Sequence, residues 1–174
     1  MRLGAHDLHF TFARGDNRLK GFDAGGALLL NVECRNRTVA NNGYGHNSPC
    51  PPGTFLLGDP ATRHTPAFGR WFVPLLDWQE CRAMAAYRRS GIGLHGGGTG
   101  LPDPFAPHQS PPFVITRGCL RLVNADLDEV VHYIHRSQGV GGACYITVQA
   151  PAPGAGDVDD DYLEVPEDQL APGE

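Results

Sequence analysis

The sequence predicts a mostly β domain over residues 1–150, followed by a short tail. Three observations support this prediction. The 174 residues are enough for one domain with a hydrophobic core and too few for two typical domains. The 23 glycines and 15 prolines favour many turns over long helices. Several short apolar or alternating segments end in turn residues, which is typical of strands.

Six segments have the composition of strands. They are residues 8–12, 18–22, 27–34, 54–57, 70–76 and 144–148. We expect the first two to form a hairpin across the polar turn at residues 14–17. The continuous apolar run in residues 27–34 predicts a buried strand, whereas Pro74 predicts that residues 70–76 lie at an edge or end early.

Two helices are predicted between these strands. Residues 78–89 are rich in helix formers, carry basic residues in the last turn, and are followed by Gly91 as a stop. Residues 124–136 begin with Asn124, a favourable N-cap, and end with basic residues. Helical spacing places four apolar side chains on one face: Leu127, Val130, Val131 and Ile134.

Charge and hydropathy exclude several classes of protein. The net charge is -5, and the acidic residues concentrate in residues 151–174, which are also rich in Pro and Gly and predict a disordered tail. The remaining chain has no basic stripe, so no nucleic-acid partner is expected. The apolar run at residues 27–30 is too short to span a membrane, and no secretory leader is visible at the N-terminus.

The five cysteines form no C-x-x-C pair, so neither a zinc ribbon nor a thioredoxin-like site is indicated. Three other motifs are weak. The G-x-G-x-x-G pattern at residues 91–96 is followed by glycines and a proline instead of a helix, which argues against a nucleotide site. The H-G-G-G at residues 95–98 lacks the serine elbow of α/β-hydrolases. His132 and His135 lack a third metal ligand at suitable spacing.

The remaining candidate is Cys119 as a nucleophile with His95 as its base. A thiol is reactive only as the thiolate, and an imidazole within hydrogen-bond reach can accept its proton. Arg117 and Arg121 flank the cysteine and should favour the thiolate. Gly118 allows close backbone approach, so that amides of this turn could stabilise an oxyanion.

The order of these residues resembles the signature of the L,D-transpeptidase (YkuD-type) family. His-Gly at residues 95–96 is followed by Gly-Cys-Leu-Arg at residues 118–121 and by Asn-x-Asp-Leu at residues 124–127. The similarity is close over residues 90–135. It is looser at residues 50–55, where Cys-Pro-Pro-Gly-Thr-Phe resembles a strand of that family.

Two departures from the family pattern concern the site. Relatives most often carry His where this chain has Arg117, which concentrates the base role on His95. The loop before Thr116 is longer than usual, and its proline-rich residues 101–107 could form a stiff lid or a plain surface insertion. His108 in this loop is an alternative base.

The resemblance implies an L,D-transpeptidase-like β-sandwich with one or two helices packed beside the active-site cysteine. It also implies that Cys119 attacks the third residue of a peptidoglycan stem peptide, releases D-alanine and forms a thioester, with His95 as general base. An amine or water would then resolve the thioester, giving a cross-link or a trimmed peptide.

The same resemblance implies the remaining roles. Backbone amides at Gly118 and Cys119 would hold the oxyanion, and no metal or organic cofactor is needed. Stem peptides would be the substrate and carbapenems covalent inhibitors. The residues expected to bind substrate are Arg121, Thr116, Arg117 and Gly96.

Two other functions and one related enzyme remain open. A leaderless antibacterial effector with L,D-carboxypeptidase or exchange activity would reconcile a substrate in the periplasm or cell wall with the absence of a visible leader, and it would have secretion or immunity partners. Residues 44–53 faintly resemble that group. A non-catalytic wall-binding domain is the alternative of another class. A sortase-like acyltransferase would need an arginine farther from Cys119 than Arg121.

Overall fold

The computed structural model describes residues 3–36, 48–79, 81–99, 101–108 and 116–150. The predicted acidic tail, residues 151–174, lies outside this part of the chain, and so do residues 37–47. The prediction of a disordered tail therefore stays a prediction.

The described residues form a mostly β structure with a mixed sheet and two helices, which confirms the predicted fold class. The strands are β1 (Leu8–Ala13), β2 (Arg18–Phe22), β3 (Leu28–Glu33), β4 (Gly53–Leu57), β5 (Ala61–Thr65), β6 (Gly69–Leu76), β7 (Gly93–His95), β8 (Leu120–Arg121) and β9 (Cys144–Gln149). The helices are α1 (Ala83–Ala86) and α2 (Asn124–Gln138).

The strands follow the order β3-β2-β1-β9-β4-β6-β7-β8, with β5 paired beside β6. Two pairs, β1 with β9 and β7 with β8, are parallel, and the other pairs are antiparallel. The segment directly after β3 pairs with β8, which lies at the opposite end of this strand order. Arg35 and Arg121 exchange two backbone hydrogen bonds of 2.9 and 2.7 Å, which brings the two ends of the strand order together.

Helix α2 covers the side of the sheet that carries β6, β7 and β9. Its predicted apolar face is buried as expected, because Leu127, Val130, Val131 and Ile134 are all in the core. The N-cap is Val123, one residue before the predicted one, and it makes no side-chain capping bond. Asn124 is thus the first helical residue, and its side chain is directed elsewhere.

Three strand predictions need correction. The strand predicted as buried, β3, is an edge strand, and Leu28 is 56% exposed. β5 was not predicted, because its sequence (ATRHT) is polar. β6 is central despite Pro74. Pro74 lies where the neighbour of β6 changes from β5 to β4. Its missing N–H therefore falls between the β5–β6 and β4–β6 hydrogen-bond ladders, so that little strand pairing is lost.

The predicted helix at residues 78–89 is wrong in extent, because only the single turn α1 forms. Trp78 and Cys81 exchange backbone hydrogen bonds of 3.2 and 2.9 Å, which closes a tight turn where the helix should have begun. The Asp77 carboxylate then accepts from the amides of Met84 and Ala85 at 2.9 and 3.0 Å. The turn and the local side-chain acceptor together outweigh the helix propensity of this segment.

Candidate active site

The pairing of β7 with β8 brings two of the three main candidate residues opposite each other, and the third directly precedes β8. Leu94 pairs with Leu120, and His95 pairs with Arg121. Cys119 is the residue directly before β8, and the charge of Arg121 acts on both its thiol and the His95 imidazole. These three side chains are 3%, 7% and 3% exposed for His95, Cys119 and Arg121, so all three are almost closed to water.

The sulfur of Cys119 lies against the backbone that leads into β7. Its thiol donates to the carbonyl of Gly91 at 3.5 Å, and the amide of Gly93 hydrogen-bonds to the sulfur. A side chain at residue 93 would overlap Val73 O and the Phe72 ring. Glycine at this position therefore lets β7 pack closely against β6 beside the sulfur.

Burial raises the pKa of the Cys119 thiol, and this effect exceeds three opposing ones. The Gly93 amide and the guanidinium groups of Arg121 and Arg89 all lower that pKa. The net direction differs from the sequence-based expectation of a partly ionised thiol. The second cation is Arg89, since the side chain of Arg117 is exposed.

His95 is held in one tautomer. Its Nδ1 lies 2.7 Å from the carbonyl oxygen of Gly96. A carbonyl can only accept, so Nδ1 carries the proton and Nε2 retains the lone pair that a general base needs. Burial and then the charge of Arg121 lower the pKa of His95 to about 3, so the ring is neutral at physiological pH.

Aromatic side chains fix the orientation of the imidazole. The Phe68 ring meets it edge-on at a centroid distance of 5.1 Å, and the Phe72 ring stacks on it at 6.5 Å. No hydrogen bond joins His95 to Cys119 in the described residues, since His95 bonds to Gly96 and Cys119 to Gly91 and Gly93. The two predicted partners are therefore not hydrogen-bonded to each other.

Side chains from two segments hold the turn that carries Cys119. The Thr116 hydroxyl donates to Cys119 O at 2.8 Å and accepts from the Gly118 amide at 3.3 Å. The amide group of Asn36 donates to Gly118 O at 3.0 Å and to Cys119 O at 2.9 Å. Its oxygen accepts from the Cys50 amide at 2.9 Å. The buried Asn36 thus fixes the nucleophile turn to the segment before β4.

Arg89 is a buried cation that the sequence did not distinguish. It lies 7% exposed between α1 and β7. Its Nη2 donates to Arg117 O at 2.6 Å and to Ser48 O at 3.0 Å, and its Nη1 donates to Pro49 O at 3.3 Å. Arg88 beside it is exposed, so two adjacent arginines have opposite environments.

Arg121 has donors without acceptors. Its Nη2 donates to Ala67 O at 3.3 Å, but its Nε and Nη1 are buried with no partner among the described residues. Burial lowers the pKa of Arg121 to about 10, and the nearby Cys119 opposes that shift. A guanidinium with two unused donors can bind a planar anion such as a carboxylate.

The Asn124 side chain ties the end of β7 to the loop after it. Its oxygen accepts from the Gly97 amide at 3.1 Å, and its nitrogen donates to Pro104 O and Ala106 O, both at 2.9 Å. A side chain at Gly96 would overlap the Asn124 oxygen. The proline-rich segment, residues 101–107, is therefore held to the start of α2.

The other sequence candidates lie apart from this site. His108 is exposed, and its charge acts on Asp126 of α2. His132 and His135 are exposed on α2. Within the described ranges, no group of three His, Cys, Asp or Glu side chains is placed to hold a metal ion, and no helix is long and apolar enough to cross a membrane. All five cysteines are free thiols.

Asn36 and Arg89 are the two site residues that the sequence did not indicate. Asn36 lies in a polar stretch of the sequence where nothing marks it as buried. Arg89 ends a segment of helix formers, where a basic residue ordinarily interacts with the helix dipole. No signal in a single sequence distinguishes it from Arg88.

Known structures share this fold. The helical cell shape determining protein Pgp2 from Campylobacter jejuni matches with a TM-score of 0.56 at 13% identity, over 83% of this chain and 48% of that one. Bd1075 from Bdellovibrio bacteriovorus matches with a TM-score of 0.60 at 14% identity, over 86% and 49%. An L,D-transpeptidase (Yku) from Stackebrandtia nassauensis matches with a TM-score of 0.53 at 13% identity, over 84% and 57%.

The fold is therefore L,D-transpeptidase-like. The chain spans between 48% and 57% of the length of these three structures. No family model and no curated protein matches the sequence. At these identities the likeness concerns the fold alone, and the chemistry must be argued from the residues of this chain.

Proposed function

We propose that this chain is a cysteine acyltransferase that acts on peptidoglycan stem peptides, in the manner of an L,D-transpeptidase. The observation that carries the proposal is the pairing of β7 with β8, in which His95 lies opposite Arg121 and the buried Cys119 directly precedes β8. A nucleophile, a neutral base and a cation with unused donors are the groups that such a reaction requires.

In the first half-reaction, Cys119 attacks the carbonyl of the third stem residue. A carbon–sulfur bond forms, and the thiol proton passes to Nε2 of His95, which has the free lone pair. The imidazolium then returns this proton to the amine of the departing D-alanine, leaving a thioester. An acceptor amine or water attacks the thioester, and His95 again takes and returns the proton.

The pKa directions indicate how the nucleophile is activated. Burial keeps both the thiol and the imidazole neutral at rest, so no stable thiolate–imidazolium pair is formed in advance. Proton transfer is therefore expected to accompany attack on the carbonyl. The cations at Arg121 and Arg89 favour the negative charge as it develops on the sulfur and then on the substrate oxygen.

Substrate contacts follow from the unused donors. Nε and Nη1 of Arg121 would bind a carboxylate of the stem peptide. The Gly118 amide already donates to Thr116, so the Cys119 amide would be the main oxyanion donor and Gly118 the weaker one. Arg117, whose side chain is exposed, and Gly96, at the end of β7, would line the approach to the site.

The test is product analysis with purified tetrapeptide muropeptides. We expect release of D-alanine with a cross-link or tripeptide product, and loss of at least about a thousandfold in rate for Cys119→Ala. Cys144→Ala, at a buried thiol on β9, is the control and should retain activity. A Cys119→Ala variant that turns over tetrapeptide like the wild type would disprove the proposal.

A non-catalytic wall-binding domain is the second candidate. It is favoured by the raised pKa of Cys119 and by the lack of a direct bond to His95. Intact-protein mass spectrometry after carbapenem treatment separates the two functions. An acyl adduct that disappears in Cys119→Ala supports the enzyme, whereas an unmodified wild-type protein that still binds wall fragments supports the binding domain.

Where the enzyme would act follows from its substrate. Stem peptides lie in the periplasm or cell wall, so the proposal requires export of the chain. The effector alternative rests on residues 44–53, of which residues 44–47 lie outside the described part. Expression directed to the periplasm of a test bacterium separates the two, because only an effector that degrades the stems should be toxic there.

A further inference from the structure

Arg89 combines burial with an unusual set of partners. Its guanidinium donates to three neutral carbonyl oxygens, two from residues 48–49 and one from Arg117. Burying a cation is costly, so a buried guanidinium is held where specific contacts offset that cost. The charge of Arg89 also favours the ionised form of the Cys119 thiol.

The position of this charge is fixed relative to the nucleophile. A side chain built on Gly118 would overlap Nη2 of Arg89 and approach Ser48 O to 2.7 Å. The guanidinium therefore packs directly against the Cα of the residue before Cys119. Only glycine allows this approach at the φ of +107° observed there.

The charge acts mainly on one thiol at neutral pH. Arg89 favours the ionised form of both Cys119 and Cys50. Burial raises the pKa of Cys50 far above its usual range, so Cys50 stays protonated. The other groups that shift Cys119 are the Gly93 amide from β7 and Arg121 from β8.

We propose that Arg89 is a positioning residue of the nucleophile. It fixes the turn at Gly118 through its hydrogen bonds and its packing, and it supplies Cys119 with a second positive charge. The inference rests on the proposed function only in taking Cys119 as the reacting group. It assigns a role to a residue outside the Cys-His-Arg set that the sequence indicated.

The experiment is the pH dependence of iodoacetamide alkylation at Cys119, followed by peptide mass spectrometry on the full chain. In Arg89→Gln the alkylation midpoint should rise by about one pH unit. The thiolate fraction at neutral pH then falls about tenfold, and the greater nucleophilicity of a more basic thiolate recovers about threefold, so the rate falls about threefold. Arg88→Gln, which removes the adjacent exposed charge, should match the wild type.

Two outcomes overturn the inference. One is a folded Arg89→Gln protein whose alkylation profile coincides with that of Arg88→Gln. If Arg89→Gln does not fold, Arg89→Lys decides. It keeps the charge but cannot reach residues 48–49 and 117 together, so the midpoint should stay near wild type while the limiting rate at high pH rises about twofold as the turn loosens. A wild-type limiting rate in Arg89→Lys is the second overturning outcome.

The readout separates this inference from the proposed function. Alkylation needs no peptidoglycan, so a shifted midpoint in Arg89→Gln supports the inference even if no stem peptide is turned over. Conversely, a muropeptide reaction that depends on Cys119, together with an unshifted midpoint, rejects the role of Arg89 and leaves the proposed function intact.

Discussion

The nucleophile and the base of the candidate site are held in different ways. Hydrogen bonds from the side chains of Asn36 and Arg89 fix the turn of Cys119 to distant parts of the chain, and the Thr116 hydroxyl stabilises it locally. His95 is fixed by strand register, a bond to the adjacent carbonyl and two aromatic rings. The turn should therefore be sensitive to single polar substitutions, whereas the base should respond mainly to pH.

Gly118→Ala should have the largest effect on the turn. The new methyl group would overlap Arg89 and Ser48 O at a φ that L-residues rarely adopt. We expect a loss of about 3 kcal/mol in the free energy of unfolding. Urea denaturation measures it, with Gly15→Ala, where nothing lies within 4 Å, as the control. An equal stability for the two variants would mean that the turn is not tightly packed.

Asn36→Ala should cost somewhat less. It removes the donor to two carbonyls and the acceptor of the Cys50 amide, and leaves these buried groups unpaired. We expect a loss of about 2–3 kcal/mol and slower acyl transfer because the turn loses its tie to the segment before β4. Thermal denaturation and muropeptide turnover measure the two effects. Asn31→Ala on the exposed side of β3 is the control and should change the stability by under about 0.5 kcal/mol.

His95 should give the smallest effect, and one that depends on pH. The unfolded chain binds a proton on this ring below about pH 6.5, while the folded chain does so only near pH 3. Unfolding therefore takes up a proton in this window, and stability falls as pH drops below 6.5. Between pH 7 and 5 the wild type should lose about 2 kcal/mol more than His95→Gln.

An exposed histidine provides the comparison. His132→Gln should keep the wild-type dependence of stability on pH, because the ring it replaces is exposed on α2. If His95→Gln loses as much stability between pH 7 and 5 as the wild type, then His95 is not held neutral by burial.

The contrast also explains what could be predicted from the sequence. Strands β1, β2, β4 and β9 and helix α2 depend on local pattern, which a sequence displays directly. The roles of Asn36 and Arg89 depend on contacts with residues far away in the chain, such as that between Asn36 and Gly118, which are 82 positions apart. Their surroundings exist only once the sheet has formed.

The failed helix at residues 78–89 has a local cause instead. Helix propensity is weak, and a turn closed by Trp78 and Cys81, together with the Asp77 carboxylate, outweighs it. Because the predicted helix does not form, the Arg89 side chain points into the protein, whereas a continuous helix would have placed it in the last turn. An error in one predicted element thus concealed a residue of the site.

The Asn124 side chain has a consequence for local motion. One amide group bonds to the strand end at Gly97 and to the loop at Pro104 and Ala106, while Ala125 N donates to Pro107 O. None of these segments can open by itself without breaking bonds to the others. The amide hydrogens of Gly97 and Ala125 should then exchange with deuterated solvent through one shared opening event, at closely similar protection.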